Sequence, residues 1–173
     1  GVYEGNLVAE IAIGNHQGYM FSASAPINTE GVEARVTRNA FLKVGANQAI
    51  QAGNLRAGLI KNNLILSGAS TGGSGISLIG ESFLGQVGVH NLVIEDNFIL
   101  GLRSLNAYGA SISNVIVRDN RFRASSGQVV ELLNYERNDY TFAGNAYRSG
   151  SPANQWFRIN QTTYYDLAGW RAF

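Results

Sequence analysis

The segment IEDNFI at residues 94–99 has the form apolar-x-x-Asn-x-apolar, and the chain repeats this form. Its other members are VTRNAF at 36–41, IKNNLI at 60–65, VRDNRF at 117–122 and FAGNAY at 142–147, with a weaker first member around Asn15. Successive Asn residues are 24, 24, 34, 23 and 25 residues apart. A period of this kind is typical of a solenoid, in which each repeat is one stacked turn.

The recurring Asn is predicted to lie at a bend between two short strands, because the apolar residues change phase around it. Asn tolerates the left-handed backbone conformation, and its amide can bond to the same amide one turn away, at about 4.8 Å. The residues three before and two after each Asn are predicted to face inward. The predicted ladder consists of Asn15, Asn39, Asn63, Asn97, Asn120 and Asn145.

Two repeat folds fit this pattern. VHNLVIEDNFI at 89–99 also satisfies the leucine-rich repeat consensus, so a leucine-rich-repeat-like binding solenoid is an alternative. The rest of each repeat contains further strand-like runs, such as AIQ at 49–51, GISLI at 75–79 and VVELL at 129–133. Several strands per turn favour an all-β parallel β-helix of about six rungs over residues 1–155, with a loop insertion at about 67–90.

Composition excludes several classes of function. The chain of 173 residues has a net charge of +1 and no basic run, so nucleic acid is not an expected partner. It has no Cys and two widely separated His, so neither a metal site nor a cofactor is predicted. No apolar run approaches the length of a membrane span, and a membrane is not an expected partner either.

The Asn repeat over residues 14–150 resembles the right-handed parallel β-helix proteins of the pectate-lyase-like superfamily. Residues 156–172 look like the closing segment of large bacterial members, which implies a C-terminal strand and a short capping helix over 156–173, with Asp166 at the helix start. The resemblance implies the C-terminal region of a larger bacterial carbohydrate-active protein, extracellular or secreted. Because an uncapped first rung would leave a row of unpaired backbone groups, we expect something to cover it: preceding rungs, a second chain or a symmetry mate.

If the geometry of that superfamily holds, a polysaccharide lies in a shallow groove formed by outward side chains of successive rungs. Alternation against the inward residues gives the substrate-binding candidates Gln51, Ser77, Asn106, Tyr108, Glu131 and Asn134. Tyrosine rings stack on sugars, and Asn, Glu and Arg bond to hydroxyls or carboxylates. The candidates for catalysis are Tyr108, Glu131, Tyr135 and Arg137.

Polar residues along such a face are also common in solenoids that bind nothing there. The leading hypothesis is a polysaccharide-binding and polysaccharide-cleaving β-helix, either a lyase or a glycoside hydrolase. The alternative is a structural or adhesive β-helix fragment, such as part of a phage tailspike or surface adhesin. Glu95 is assigned no chemistry, because Lys61 and Arg118 in the neighbouring rungs predict a cross-strand charge ladder.

Overall fold

The computed structural model describes residues 1–9, 19–21, 31–44, 48–67, 73–80, 88–101, 103–133, 139–160 and 163–172. These residues form three sheets of parallel strands, so the protein is an all-β parallel β-solenoid, as predicted. The runs predicted to be strand-like at 49–51, 75–79 and 129–133 all contribute to the third sheet. Within the described residues each turn consists of three strands, which does not fit a leucine-rich repeat.

The three sheets are named A, B and C in the order in which the chain enters them. Sheet A contains β1 (Val2–Glu4), β4 (Val32–Thr37), β7 (Leu55–Lys61), β10 (Val89–Glu95), β13 (Ile112–Arg118) and β16 (Tyr140–Ala143). Sheet B contains β2 (Leu7–Ala9), β5 (Ala40–Val44), β8 (Leu64–Ser67), β11 (Phe98–Gly101), β14 (Arg121–Ala124) and β17 (Ala146–Ser149). Sheet C contains β3 (Tyr19–Phe21), β6 (Gln48–Gly53), β9 (Ser74–Ile79), β12 (Arg103–Tyr108), β15 (Val130–Leu132), β18 (Phe157–Ile159) and β19 (Thr163–Tyr165).

The solenoid has about four complete turns, fewer than the six predicted. The turns built from β4–β6, β7–β9, β10–β12 and β13–β15 have a parallel neighbour on both sides in all three sheets. The first turn (β1–β3) and the last (β16–β18) lie at the ends of the stack. The sequence repeat does not distinguish them from the four complete turns, so it predicts six. A partner covering β1–β3 stays a prediction.

A ladder of Asn side chains runs through the stack, as predicted, and it is buried at Asn39, Asn63, Asn97 and Asn120 and half-buried at Asn145. The amide Nδ2 of each Asn donates to Oδ1 of the Asn in the next turn, and its backbone N–H donates to the same oxygen, all at 2.9–3.0 Å. Nδ2 also donates to a backbone carbonyl of the preceding turn. The residues so connected are Asn39, Asn63, Asn97, Asn120 and Asn145.

The first member of the ladder differs from the prediction. Asn15 lies outside the described residues, and the position stacked on Asn39 is occupied by Asn6. The backbone N–H and Nδ2 of Asn6 donate to Oδ1 of Asn39 at 2.9 and 3.0 Å. Asn6 is 33 residues before Asn39, so the constant spacing of 24 residues led to the wrong Asn.

The left-handed residue at each bend is the one before the ladder Asn, which corrects the role that the sequence assigned to Asn. The φ angles at this position are 55–68°, and the residues are Gly5, Arg38, Asn62, Asp96, Asp119 and Gly144. The ladder Asn itself starts the next strand with its amide turned inward. Asn is therefore selected at the bend for its amide bonds, while the strained backbone falls on its neighbour.

Both predicted apolar columns face the core. Ile60 and Ile94 belong to the column three residues before the Asn, and Phe41 and Phe122 belong to the column two residues after it. All four side chains are at most 2% exposed. At the C-terminal end the chain closes with β19, antiparallel to β18, and α1 (Leu167–Ala172). Both elements lie within the segment predicted to form a strand and a capping helix.

Helix α1 covers the last turn of the core. Its start is fixed by Asp166, whose Oδ1 accepts a hydrogen bond from the backbone N–H of Gly169 at 2.7 Å, as predicted for a capping residue. Trp170 is buried and stacks on Phe157 with the ring centroids 4.6 Å apart, and its ring is nearly perpendicular to that of Phe142, with the centroids 4.9 Å apart. The aromatic cluster closes the apolar interior at this end.

Candidate functional site

The site is a column of polar side chains on sheet C, on the face opposite the core. The register pairs Gln51 with Ser77, Ser77 with Asn106 and Asn106 with Glu131. The residues on either side of each, such as Ile50 and Ala52, are fully buried in the core. Alternation along the strands therefore sends the polar side chains outward, and the four predicted candidates do lie in one row.

The same four side chains are not exposed, which corrects the expectation of an open groove. Gln51 is 6% exposed, Asn106 7%, Glu131 1% and Ser77 not at all. Alternation in the sequence shows which face of a sheet a residue occupies, but it does not show what lies over that face. The segments 22–30, 81–87 and 134–138, which leave sheet C strands, lie outside the described residues.

Glu131 lies at the centre of the charged part of the column. Its Oε2 accepts hydrogen bonds from Nη1 of Arg103 at 2.6 Å and from Nδ2 of Asn106 at 3.1 Å, and its Oε1 accepts one from Nη1 of Arg158 at 2.7 Å. The Glu131 side chain is 2% exposed, but those of Arg103 and Arg158 are 37% and 27% exposed. Two guanidinium groups thus surround one buried carboxylate and reach the surface on either side of it.

Positive charge exceeds negative charge on this sheet. Among the strands of sheet C that the structure describes, Glu131 is the only acidic residue, while Arg103 and Arg158 are both basic. The guanidinium of Arg158 also lies over the ring of Tyr164, 5.6 Å from its centroid, and Tyr164 is 44% exposed. An exposed aromatic face therefore adjoins the cationic pair.

The other end of the column is uncharged. Oγ of Ser77 donates to Oδ1 of Asn106 at 3.3 Å, and the hydroxyl of Tyr108 is hydrogen-bonded to Ser77. Burial raises the pKa of Tyr108 above its ordinary value of 10.0, and the bond to Ser77 acts in the opposite direction. Oε1 of Gln51 is buried and has no hydrogen-bond partner within the described part of the chain.

The structure thus brings together five of the predicted site residues and adds two that sequence reasoning missed. Glu131 lies in the column and Tyr108 lies beside it, bonded to Ser77, whereas Asn134, Tyr135 and Arg137 fall outside the described residues. Arg103 and Arg158 were missed, although they are 28 and 27 residues from Glu131. That separation is close to one turn, so a search for opposite charges one period apart would have found them.

A second charged cluster lies on sheet A and confirms the predicted charge ladder. Nζ of Lys61 donates to Oε1 of Glu95 at 2.7 Å, and Nε of Arg118 donates to Oε2 at 2.6 Å. The hydrogen bonds from Lys61 and then from Arg118 lower the pKa of Glu95 below its ordinary value of 4.5, despite its burial. This carboxylate is bonded at both oxygens within the ladder, which fits the structural role assigned to it.

We expect Glu95 to make stability depend on pH. Because its folded pKa is lowered, its contribution is present in full above pH 4.5 and is lost as the pH falls through the lowered value. Urea unfolding of wild type and Glu95→Gln should show a less stable variant at neutral pH and converging curves at acidic pH. Glu33→Gln is the control, since Glu33 pairs with Arg56 at an exposed site. A gap for Glu95→Gln that is the same at every pH would contradict the prediction.

The described residues contain no group of three or more His, Asp or Glu side chains placed to hold a metal ion. Within the same residues no helix is long and apolar enough to cross a membrane. No protein-family model, no curated protein and no solved structure matches the chain. The site must therefore be interpreted from its own geometry.

Proposed function

We propose that this β-solenoid binds an acidic polysaccharide along the outer side of sheet C. The observation that supports it is the cluster in which Arg103 and Arg158 flank the buried Glu131 next to the exposed ring of Tyr164. Guanidinium groups bind carboxylates with directed hydrogen bonds, and a tyrosine face packs against a sugar ring. Uronic acid residues offer both features in one ligand.

The spacing of the column suits a polymer. Neighbouring turns of the sheet lie about 4.8 Å apart, which is comparable with the length of one sugar unit. Arg103 and Arg158 lie two turns apart, so a chain running along the solenoid axis would present to them carboxylates about two units apart. In this proposal the buried polar row holds the arginines and Tyr108 in place, and their exposed parts contact the ligand.

The Asn ladder and the three parallel sheets also support a place for the chain among the pectate-lyase-like β-helix proteins, as part of a larger, secreted, bacterial carbohydrate-active protein. Within the described residues, binding has more support than cleavage, since both oxygens of Glu131 are already held by arginines. Catalysis by Tyr108, Glu131, Tyr135 and Arg137 stays a prediction. It would be abandoned if Tyr108→Phe, Tyr135→Phe and Arg137→Ala each left the yield of new reducing ends and unsaturated products unchanged.

Calorimetric titration with polygalacturonate oligomers tests the binding proposal. We expect saturable binding to the acidic oligomers and none to dextran, a neutral polysaccharide. Arg103→Ala should weaken binding at least about tenfold, because it removes a charge-assisted hydrogen bond. Arg35→Ala, which changes an exposed arginine on sheet A, is the matched control and should bind like wild type.

Arg103 also contacts Glu131, so a loss of binding could reflect a change in the fold. Arg103→Lys keeps the positive charge and should retain more of the affinity than Arg103→Ala, with both variants melting cooperatively by circular dichroism. Equal affinity for dextran and polygalacturonate would refute the proposal, as would unchanged binding by a folded Arg103→Ala protein.

A further inference from the structure

The outer face of sheet B carries a strip of side chains that is apolar towards one end and cationic towards the other. One outward column is formed by Leu7, Ala40, Leu64, Phe98, Arg121 and Ala146, in that register. The other is formed by Leu42, Leu66, Leu100, Arg123 and Arg148. The strip therefore changes from leucine and phenylalanine to arginine along the solenoid axis.

These side chains lie at the surface of the described structure. Leu7 is 69% exposed, and Leu64 and Phe98 are each 38% exposed. The three arginines are exposed as well. The described strands of sheet B contain no Asp or Glu, so the charge at the arginine end is not balanced within the sheet. Large apolar side chains placed side by side at a surface mark interaction sites.

The strip is defined by Leu64, Phe98, Leu100, Arg121 and Arg123 with their column neighbours. We infer that it binds a short peptide segment of a protein partner, and that this segment is apolar along most of its length and acidic at one end. Charge complementarity supports an acidic end, because the arginines cluster at one end of the strip only. The apolar part spans four turns, about 14 Å, and the arginines occupy the next two turns. The inference is independent of the polysaccharide site, which lies on sheet C.

The size of the strip favours a short segment over a second copy of the chain. The six strands of sheet B by two outward columns cover on the order of 300 Å², whereas a stable dimer needs about 800 Å² on each partner. A parallel pair of copies would also bring Arg121 and Arg123 of one chain close to the same residues of the other. An extended peptide of about eight residues is long enough to cover the strip.

A lipid surface suits the strip less well. The arginines and leucines project from the same face of sheet B, so a membrane that received the leucines would also lie against the guanidinium groups. Membrane-binding faces place their charges above the apolar groups, at the level of the headgroups.

Fluorescence anisotropy with two synthetic peptides tests the inference on the full chain. The first has alternating Leu and Ser in its first part and alternating Glu and Ser in its last part, and the second has Lys in place of each Glu. We expect saturable, salt-sensitive binding of the Glu peptide and binding of the Lys peptide that is at least about tenfold weaker. Arg123→Glu should reduce the preference for the Glu peptide, because it lowers the charge at the arginine end from +3 to +1, and Leu64→Ser should weaken both peptides.

Arg35→Glu is the matched control, since it makes the same charge change on an exposed position of sheet A, and it should leave peptide binding unchanged. Circular dichroism melting checks that each variant is folded. Equal binding of the two peptides, or no effect of Arg123→Glu in a folded protein, would overturn the inference. So would co-sedimentation with phosphatidylserine vesicles in the absence of peptide binding, or a dimer in sedimentation equilibrium that Leu64→Ser dissociates.

Discussion

Replacing Asn97 with Ala is expected to cost about 4 kcal/mol or more of unfolding free energy. The Asn97 amide donates to Oδ1 of Asn120 and to the carbonyls of Ile60 and Glu95, and its Oδ1 accepts from the backbone N–H and the Nδ2 of Asn63. Asn97 is 1% exposed, so water cannot replace these bonds. Each buried polar group left without a partner costs about 1–3 kcal/mol, and several are affected at once.

Urea unfolding of Asn97→Ala and Asn154→Ala provides the measurement and its control. Asn154 lies in the short 3-10 helix Ala153–Gln155 and is exposed, so the same change there should alter stability by less than about 0.5 kcal/mol. A similar small change for Asn97→Ala would show that the ladder contributes little to stability. The amide hydrogen bonds would then no longer explain why Asn recurs in every turn.

The ladder and the core columns could be predicted from the sequence because they depend on the chain's own periodicity. An inward residue is repeated at the same place in every turn, so Phe41, Ile65, Ile99 and Phe122 identify one another. The limit of a search by constant period appears at the first member of the ladder, which is Asn6 and not the predicted Asn15. The segment YEGNLV at 3–8 fits the pattern as well as the others do, but a longer first interval conceals it.

Backbone conformation at the bend could not be assigned to the right residue from the pattern alone. The left-handed positions are held by residues as different as Arg38, Asp119 and Gly144, so they show no common residue type. Asn62 and Asn63 are adjacent, and only the structure shows that the first takes the left-handed conformation while the second joins the ladder. Because the Asn recurs and the residue before it varies, the pattern assigns to the Asn a left-handed conformation that the preceding residue adopts.

For the candidate site, the sequence predicts which residues lie in one row, but it predicts neither their burial nor their partners. Strand alternation placed Gln51, Ser77, Asn106 and Glu131 on one face, and the register confirms it. Alternation along a strand does not encode what lies over that face, so it does not predict that these side chains are buried. The ion pairs of Glu131 involve one basic residue in each of the two neighbouring turns, and a search for opposite charges one period apart could have found them.

Glu131→Gln is expected to destabilise the protein by about 2–4 kcal/mol at neutral pH. Removing one partner of a buried ion pair costs about 3–5 kcal/mol, and the partial exposure of Arg103 and Arg158 reduces this figure. A glutamine can accept from one guanidinium through its oxygen but presents an N–H donor to the other, so two cations would face each other without a counter-charge. Urea unfolding measures the loss, and Glu33→Gln on sheet A, in an exposed ion pair, is the matched control that should change little.

A second substitution separates the structural role of Glu131 from a role in binding. If unpaired arginine charge causes the instability, Arg103→Met in the Glu131→Gln background should recover part of the lost free energy, giving a coupling energy of about 1–3 kcal/mol in a double-mutant cycle. Additive effects would contradict the ion-pair argument. A Glu131→Gln protein as stable as wild type would mean that the carboxylate is not needed for folding, and its burial between two arginines would then have to be explained by the ligand. Groups that add nothing to stability are retained where function requires them, so that result would contradict the stability prediction and favour a role for Glu131 in binding.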